Sequence, residues 1–332
     1  MVDKLKLFSL FSGIGAFEKA LTNLHIDYEL VGFSEIDKAA ITSYCTIHNV
    51  NSELNYGNVQ DIATNQLESL PEFDLLTCGF PCTNISASGK QEGFEEGSNT
   101  SSSLLWDSLK IVKASKPKYI IFENVKNILT KKFKQDSDNW MSFLESEGYT
   151  TTYKVLNSVD HGIPQNRERV FFVAIREGEE FHFPGHVSNM VKLDSVLEKE
   201  VDAKFYLKNS DYYINQINLS EYDDKPYING AIRGRYGENK KVVQRLEIQK
   251  KGVTNTLTTV QKDNVVVDLH KRKVRNLTPK ECFRLMGFTD EDYEKAVNAG
   301  TKQSNLYKQA GNSIVVPVIE YIFKGLFKVK LI

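Results

Sequence analysis

The sequence predicts an α/β protein built on an open sheet, and three observations carry that prediction. Short apolar runs alternate with segments of helical spacing through the first 180 residues. Polar or reactive side chains fall where those runs end, which is where open α/β sheets place their chemistry. The alternation stops between residues 180 and 272, which sets that interval apart from the first 180 residues.

The first strand is Lys6 to Phe11, and Ser12-Gly13-Ile14-Gly15 turns it into a helix with Phe17, Ala20, Leu21 and Leu24 at helical spacing. Glycines at a helix amino end let backbone approach a ligand closely. Glu18 stands where a dinucleotide fingerprint would have its third glycine, which disfavours a nicotinamide cofactor. A second strand, Leu30 to Ser34, delivers Glu35-Ile36-Asp37. Glu35 follows the glycine turn by about 20 residues, the place of a ribose-binding carboxylate in such folds, while Asp37 is an apt cap for a helix from Lys38 to His48.

After a turn at Tyr56 to Val59, the strand Phe73 to Cys78 runs into Gly79-Phe80-Pro81-Cys82 and places one thiol at its carboxyl end. Ser86 to Ser103 is rich in Ser, Gly, Asn and Glu and reads as a long loop beside that thiol. Cys82 is therefore the candidate nucleophile, although a free cysteine by itself more often serves as a small buried hydrophobe. Leu105, Leu109 and Val112 mark a helix ended near Pro117. The strand Tyr119 to Phe122 then brings Glu123 to the same sheet edge as Cys82, where a carboxylate is costly without a partner or a task. Two further strands lie near Thr152 to Leu156 and Val170 to Ile175. Between them Gln165, Arg167 and Arg169 alternate onto one expected face, suited to a phosphate or a base carbonyl.

A length of 332 residues, 41% hydrophobic, allows one large domain or two with ample core. Cys45, Cys78, Cys82 and Cys282 show no CxxC spacing, and no His and Cys cluster has zinc-site spacing, so a reduced, metal-free cytoplasmic protein is expected. The opening Met-Val-Asp-Lys lacks a signal-peptide pattern, and no stretch approaches the roughly 20 apolar residues of a membrane span. Net charge is −1, yet Lys225 to Arg275 holds 13 Lys and Arg against 4 acidic residues. Such a polarised segment suits a polyanion or is simply a solvated charged face.

Taken together and in order, Phe11 to Phe17, Glu35-Ile-Asp37, Gly79-Phe-Pro-Cys82, Glu123-Asn-Val125, Gln165-Asn-Arg-Glu-Arg169, Arg275 to Phe288 and Gln309-Ala-Gly-Asn-Ser313 resemble the motifs of the cytosine-5 DNA methyltransferases, of bacterial or phage type. The resemblance implies a Rossmann-like S-adenosylmethionine-dependent sheet with helices on both faces and an inserted target-recognition domain. It implies a large domain of residues 1–180 and 302–332, closed by a helix in the apolar stretch Ile314 to Ile322, and a small domain of 181–301, with duplex DNA in the cleft. Cytosine C5 is a poor nucleophile, and thiolate addition at C6 makes it enamine-like. By the resemblance Cys82 supplies that thiolate, Glu123 holds or protonates N3, Arg169 addresses O2, and Arg167 supports the same pocket or a phosphate. Phe11, Ser12, Gly13, Ile14, Gly15, Glu35, Ile36, Asn58, Val59, Pro81, Leu104, Asn312 and Ser313 would line the cofactor.

The variable interval contains Arg233-Gly-Arg235-Tyr236 and the pair Thr256-Leu257, a recurring feature of the family's recognition domain. Expected DNA contacts are Ser86, Ser88, Gln165, Arg233, Arg235, Thr256, Gln261 and Lys262. Three positions depart from the family pattern: Thr83 for Gln, Asn58 for Asp, and Ser101 where Arg often precedes Ser-Leu. A monomer is expected, with any cognate restriction endonuclease acting on the same site without contact. Two rivals share these residues: a tRNA cytosine-5 methyltransferase, and a catalytically silent DNA-binding homologue.

Overall fold

The computed structural model describes residues 4–81, 85, 103–178, 180–185, 191–222, 226–236, 241–249, 252–259 and 264–328. The chain forms two compact units, one of residues 1–156, 168–186 and 318–332, the other of 157–167 and 187–317. These limits differ from those expected at 181 and 301. The stretch 157–167 leaves the first unit early, and the return falls at Val318.

In the first unit, strands β1 (Leu5–Leu10), β2 (Tyr28–Ser34), β3 (Leu75–Cys78), β4 (Tyr119–Val125), β5 (Tyr149–Asn157) and β7 (Glu168–Arg176) form one sheet in the order β2-β1-β3-β4-β7-β5. The short strand β6 (Gln165–Asn166) precedes β7 in the chain and belongs to the other unit. Pairing is parallel from β2 through β4, and β7 runs antiparallel to β4. Parallel pairing brings the carboxyl ends of β1, β2, β3 and β4 to one edge, where the glycine turn, Glu35, Cys78 and Glu123 lie. Helices Ala16–Asn23, Lys38–His48, Leu104–Ser115 and Lys134–Ser146 flank the sheet. Asp37 caps the second of these, accepting from Ala39 N at 2.9 Å and Ala40 N at 3.2 Å.

The core explains why β3 and β4 read as continuous apolar runs, since both faces of a central strand are covered. Phe122 meets the indole of Trp140 edge-on at 5.2 Å, and Phe172 does so at 4.6 Å. Glu18, in the place of the missing glycine, is wholly buried and accepts a hydrogen bond from the Tyr44 hydroxyl at 2.8 Å.

The second unit holds an antiparallel sheet in the order β12-β11-β8-β9, from β8 (Tyr227–Tyr236), β9 (Val242–Ile248), β11 (Val265–Asp268) and β12 (Lys273–Asn276). A separate parallel pair joins β6 to β10 (Thr254–Asn255). Helices Pro279–Leu285, Asp290–Asn298 and Gln303–Asn312 complete the unit. The closing helix of the first unit is Val316–Leu326, a little beyond the expected Ile314 to Ile322. Within the second unit, Arg275 and Glu281 form an ion pair at 2.7 Å with both side chains essentially inaccessible. Glu281 also accepts from the backbone N–H groups of Thr278 and Glu198, so this buried pair has the extra hydrogen bonds such pairs require. Among the described residues no helix is long and apolar enough to cross a membrane, and no group of three His, Cys, Asp or Glu is arranged to hold a metal ion.

Candidate active site

Three turns of the first unit are tied together by hydrogen bonds. Phe11 leaves β1 with φ 51°, and Gly13 and Gly15 follow at 56° and 77°, the left-handed region that glycine enters without strain. A side chain at Gly15 would put its Cβ 2.1 Å from the His48 ring, whereas Gly13 faces open space. The Glu35 carboxylate accepts from Gly13 N at 2.9 Å through Oε2, and from Ile36 N and Asp37 N through Oε1. Asn55 joins the third turn to the second: its amide oxygen accepts from Glu35 N and Gly57 N, and its amide nitrogen donates to Glu35 O. Sequence reasoning missed Asn55, for which the turn-like Asn55-Tyr-Gly-Asn58 was the available signal. Asn58, one of the departures, caps the short helix that begins at Val59 by accepting from Gln60 N.

This edge fits S-adenosylmethionine on three grounds. The Ser12 hydroxyl is buried without a hydrogen-bond partner among the described residues. Ile36 is a large apolar side chain left 72% exposed beside the Glu35 carboxylate, suited to covering a flat base. Gly13 leaves its backbone unobstructed. Ile14 and Val59 are buried beneath, and Pro81 and Leu104 are half-buried. Asn312 and Ser313 fall in the second unit.

Cys82 lies outside the described residues, as do Thr83, Ser86, Ser88, Ser101, Gln261 and Lys262. What approaches Cys82 on either side is described. Asn124, 1% exposed, donates to Phe80 O at 3.0 Å and accepts from Val125 N at 2.8 Å, and the Asn127 amide donates to Ile85 O. One side chain at the end of β4 and one just after it thus anchor the backbone before and after the Cys82 segment. Cys78, the other thiol at this strand end, is inaccessible, and burial pushes it well above the usual thiol range. It is inert as a nucleophile.

Glu123 and Arg169 are brought together by the antiparallel register of β4 and β7. Glu123 pairs with Phe171 and Val125 with Arg169, which makes the carboxylate and the guanidinium diagonal neighbours on one face. Arg169 Nε stands 3.1 Å from Glu123 Oε1, with side chains 16% and 10% exposed. Gln165 and Arg167 belong to the second unit, and Arg167 falls between β6 and β7, so the uninterrupted strand alternation expected to align them with Arg169 does not run through them. Gln165 is wholly buried, donating to Leu285 O and accepting from Leu257 N, so it is placed for packing rather than at a DNA surface. Arg167 is 4% exposed and donates to the carbonyls of Leu257, Gly311 and Ser313. The Thr256 hydroxyl donates to Asn166 O. Arg233 and Arg235 are exposed on β8.

The C-5 cytosine-specific DNA methylase family model matches residues 5–328. This chain belongs to that family. Among curated relatives, the type II methyltransferase M2.ScrFI of Lactococcus lactis subsp. cremoris is 35% identical over 98% of this chain and 99% of its own length. The orphan methyltransferase M.SPRI of Bacillus phage SPR is 34% identical over 98% of each. Among solved structures, the Dnmt2 methyltransferase of S. pombe has a TM-score of 0.69 at 19% identity, covering 98% of this chain and 99% of that one, a likeness of fold.

The Asn124 anchor gives a first prediction. Asn124→Ala leaves Phe80 O unpaired in a buried place, at about 1–3 kcal/mol of stability. Displacing the adjoining segment is expected to slow methyl transfer on the order of 10²-fold while cofactor affinity stays. Single-turnover methylation beside thermal melting checks this, and an unchanged rate would remove Asn124 from the positioning of Cys82.

Proposed function

We propose that this chain is a sequence-specific DNA cytosine-5 methyltransferase that turns its target cytosine out of the duplex and attacks it through Cys82. The observation carrying the reading is the mostly buried Glu123 and Arg169 pair at the edge where β3 runs toward Cys82. A carboxyl and a guanidinium on one face match the N3 and O2 edge of a cytosine. Unstacking the base costs a few kcal/mol.

In the reaction the Cys82 sulfur bonds to C6 and opens the C5–C6 double bond, and Glu123 stabilises the displaced charge at N3. Arg169 holds O2 and keeps the Glu123 carboxyl oriented. S-adenosylmethionine, when bound, supplies an electrophilic methyl group on a sulfonium centre. Glu35 would take its ribose, Ile36 its adenine, and the Phe11 to Gly15 turn its methionine part. Loss of the C5 proton to water, with the C5–H electron pair reforming the C5–C6 double bond and the C6–S bond breaking, releases the Cys82 thiolate and restores the aromatic ring. Arg233 and Arg235 would contact the DNA. On this reading the chain acts as a monomer in the cytoplasm, and any cognate restriction endonuclease meets the same DNA site without touching it.

Bisulfite sequencing of the genome of a host lacking cytosine-5 methylation, expressing this chain, tests the proposal. A short motif methylated throughout the genome is expected. An unmodified genome, with soluble protein that binds S-adenosylmethionine, would overturn it and direct the same assay to tRNA.

A further inference from the structure

The outer half of β8 and the start of β9 form a ribbon of their own. Strand β11 pairs with β8 through Tyr227 to Gly230, whereas Arg233 to Tyr236 pair with β9 through Val242 to Arg245. Period-two alternation puts Arg233, Arg235, Val243, Arg245 and Glu247 on one face. Arg233 lies directly opposite Arg245, and like charges in that relation destabilise a ribbon. Two of these three guanidinium groups share a single carboxylate. Glu247 takes Arg235 Nε at 2.5 Å on one oxygen and lies 3.8 Å from Arg233 Nε on the other. With Nε so held, the terminal nitrogens of Arg235 have no hydrogen-bond acceptor among the described residues. Arg235, Arg245 and Glu247 also line an open concavity of about 830 Å³ with Tyr212 and Gln216.

We infer that Arg235, oriented by Glu247, reads a guanine in the major groove of the DNA target, an inference that rests on the methyltransferase reading above. A two-stranded ribbon fits the major groove, and a guanidinium with two free terminal nitrogens matches guanine O6 and N7. Glu247 decides between a base and a phosphate as the ligand. A carboxylate beside the arginines repels a phosphate, while a neutral base edge tolerates it, and it fixes the plane in which bidentate donors must lie. Arg233 and Arg245 supply the surrounding positive field.

The test uses the full chain, its Arg235→Ala and Glu247→Gln variants, and duplexes randomised around the modified cytosine, with methylation read by bisulfite sequencing and binding measured against salt. Wild type is expected to require guanine at one position. Arg235→Ala relaxes that position alone, by roughly tenfold to a hundredfold, the discrimination of one bidentate contact. Glu247→Gln, a substitution on an exposed strand, relaxes the same position less. A uniform loss across all sequences with a salt slope lower by about one would mark Arg235 as a phosphate contact and overturn the inference. An unchanged motif in both variants also overturns it. Wild type that methylates no duplex removes the reading beneath it, a result separate from either of these.

Discussion

Cys82→Ser is expected to abolish methyl transfer while leaving DNA and S-adenosylmethionine binding in place. The thiolate attacks carbon readily, whereas a serine hydroxyl at neutral pH carries almost no alkoxide. Loss of an enzyme's nucleophile costs on the order of 10⁴-fold or more. The neighbouring thiol gives no rescue, because Cys78 is inaccessible and its burial disfavours the thiolate. A duplex carrying 5-fluorocytosine at the target supplies the direct readout: the intact chain forms a denaturation-resistant adduct, and the serine variant forms none. Retained turnover in that variant would sink the covalent mechanism.

Glu123→Gln should produce the second largest change, a fall of roughly 10² to 10⁴-fold in the methylation rate. Glutamine keeps the shape but has neither the charge nor the exchangeable proton proposed for N3. It also withdraws the counter-charge 3.1 Å from Arg169. With both side chains mostly buried, the expected loss of stability is about 1–3 kcal/mol, between values for exposed and fully buried pairs. Single-turnover rates and thermal melting, run for Glu123→Gln, Arg169→Ala and the double variant, separate the two effects. A stability loss with an unchanged rate would assign the pair to structure alone.

Periodicity and strand-end chemistry foretold the parallel part of the sheet, the Lys38 to His48 helix and its Asp37 cap, because these depend on residues near in sequence. Glu123 stood out for the same reason, as a carboxylate ending an apolar strand. Strand alternation did not show where Gln165 and Arg167 find their partners. Their partners are Leu257, Leu285, Gly311 and Ser313, far along the chain, and nothing local announces a break between β6 and β7. The antiparallel direction of β7, which sets the Glu123 and Arg169 diagonal, was likewise invisible, since it depends on how the chain returns to the sheet. Asn55 escaped notice because its work is to hold backbone.

The carbonyl clasp of Arg167 bears on how such a protein is re-engineered. One guanidinium fastens two stretches of chain, at 257 and at 311–313, through three carbonyls within one unit. A chimera cut at 187 and 300 would import a foreign loop around 257 yet keep the host's arginine and the host's 311–313 segment. Its success would hang on whether the new loop presents a carbonyl in the same spot. Splice points at 157 and 317 carry the clasp across whole, so the practical cassette for swapping specificity is longer at both ends than the variable interval itself.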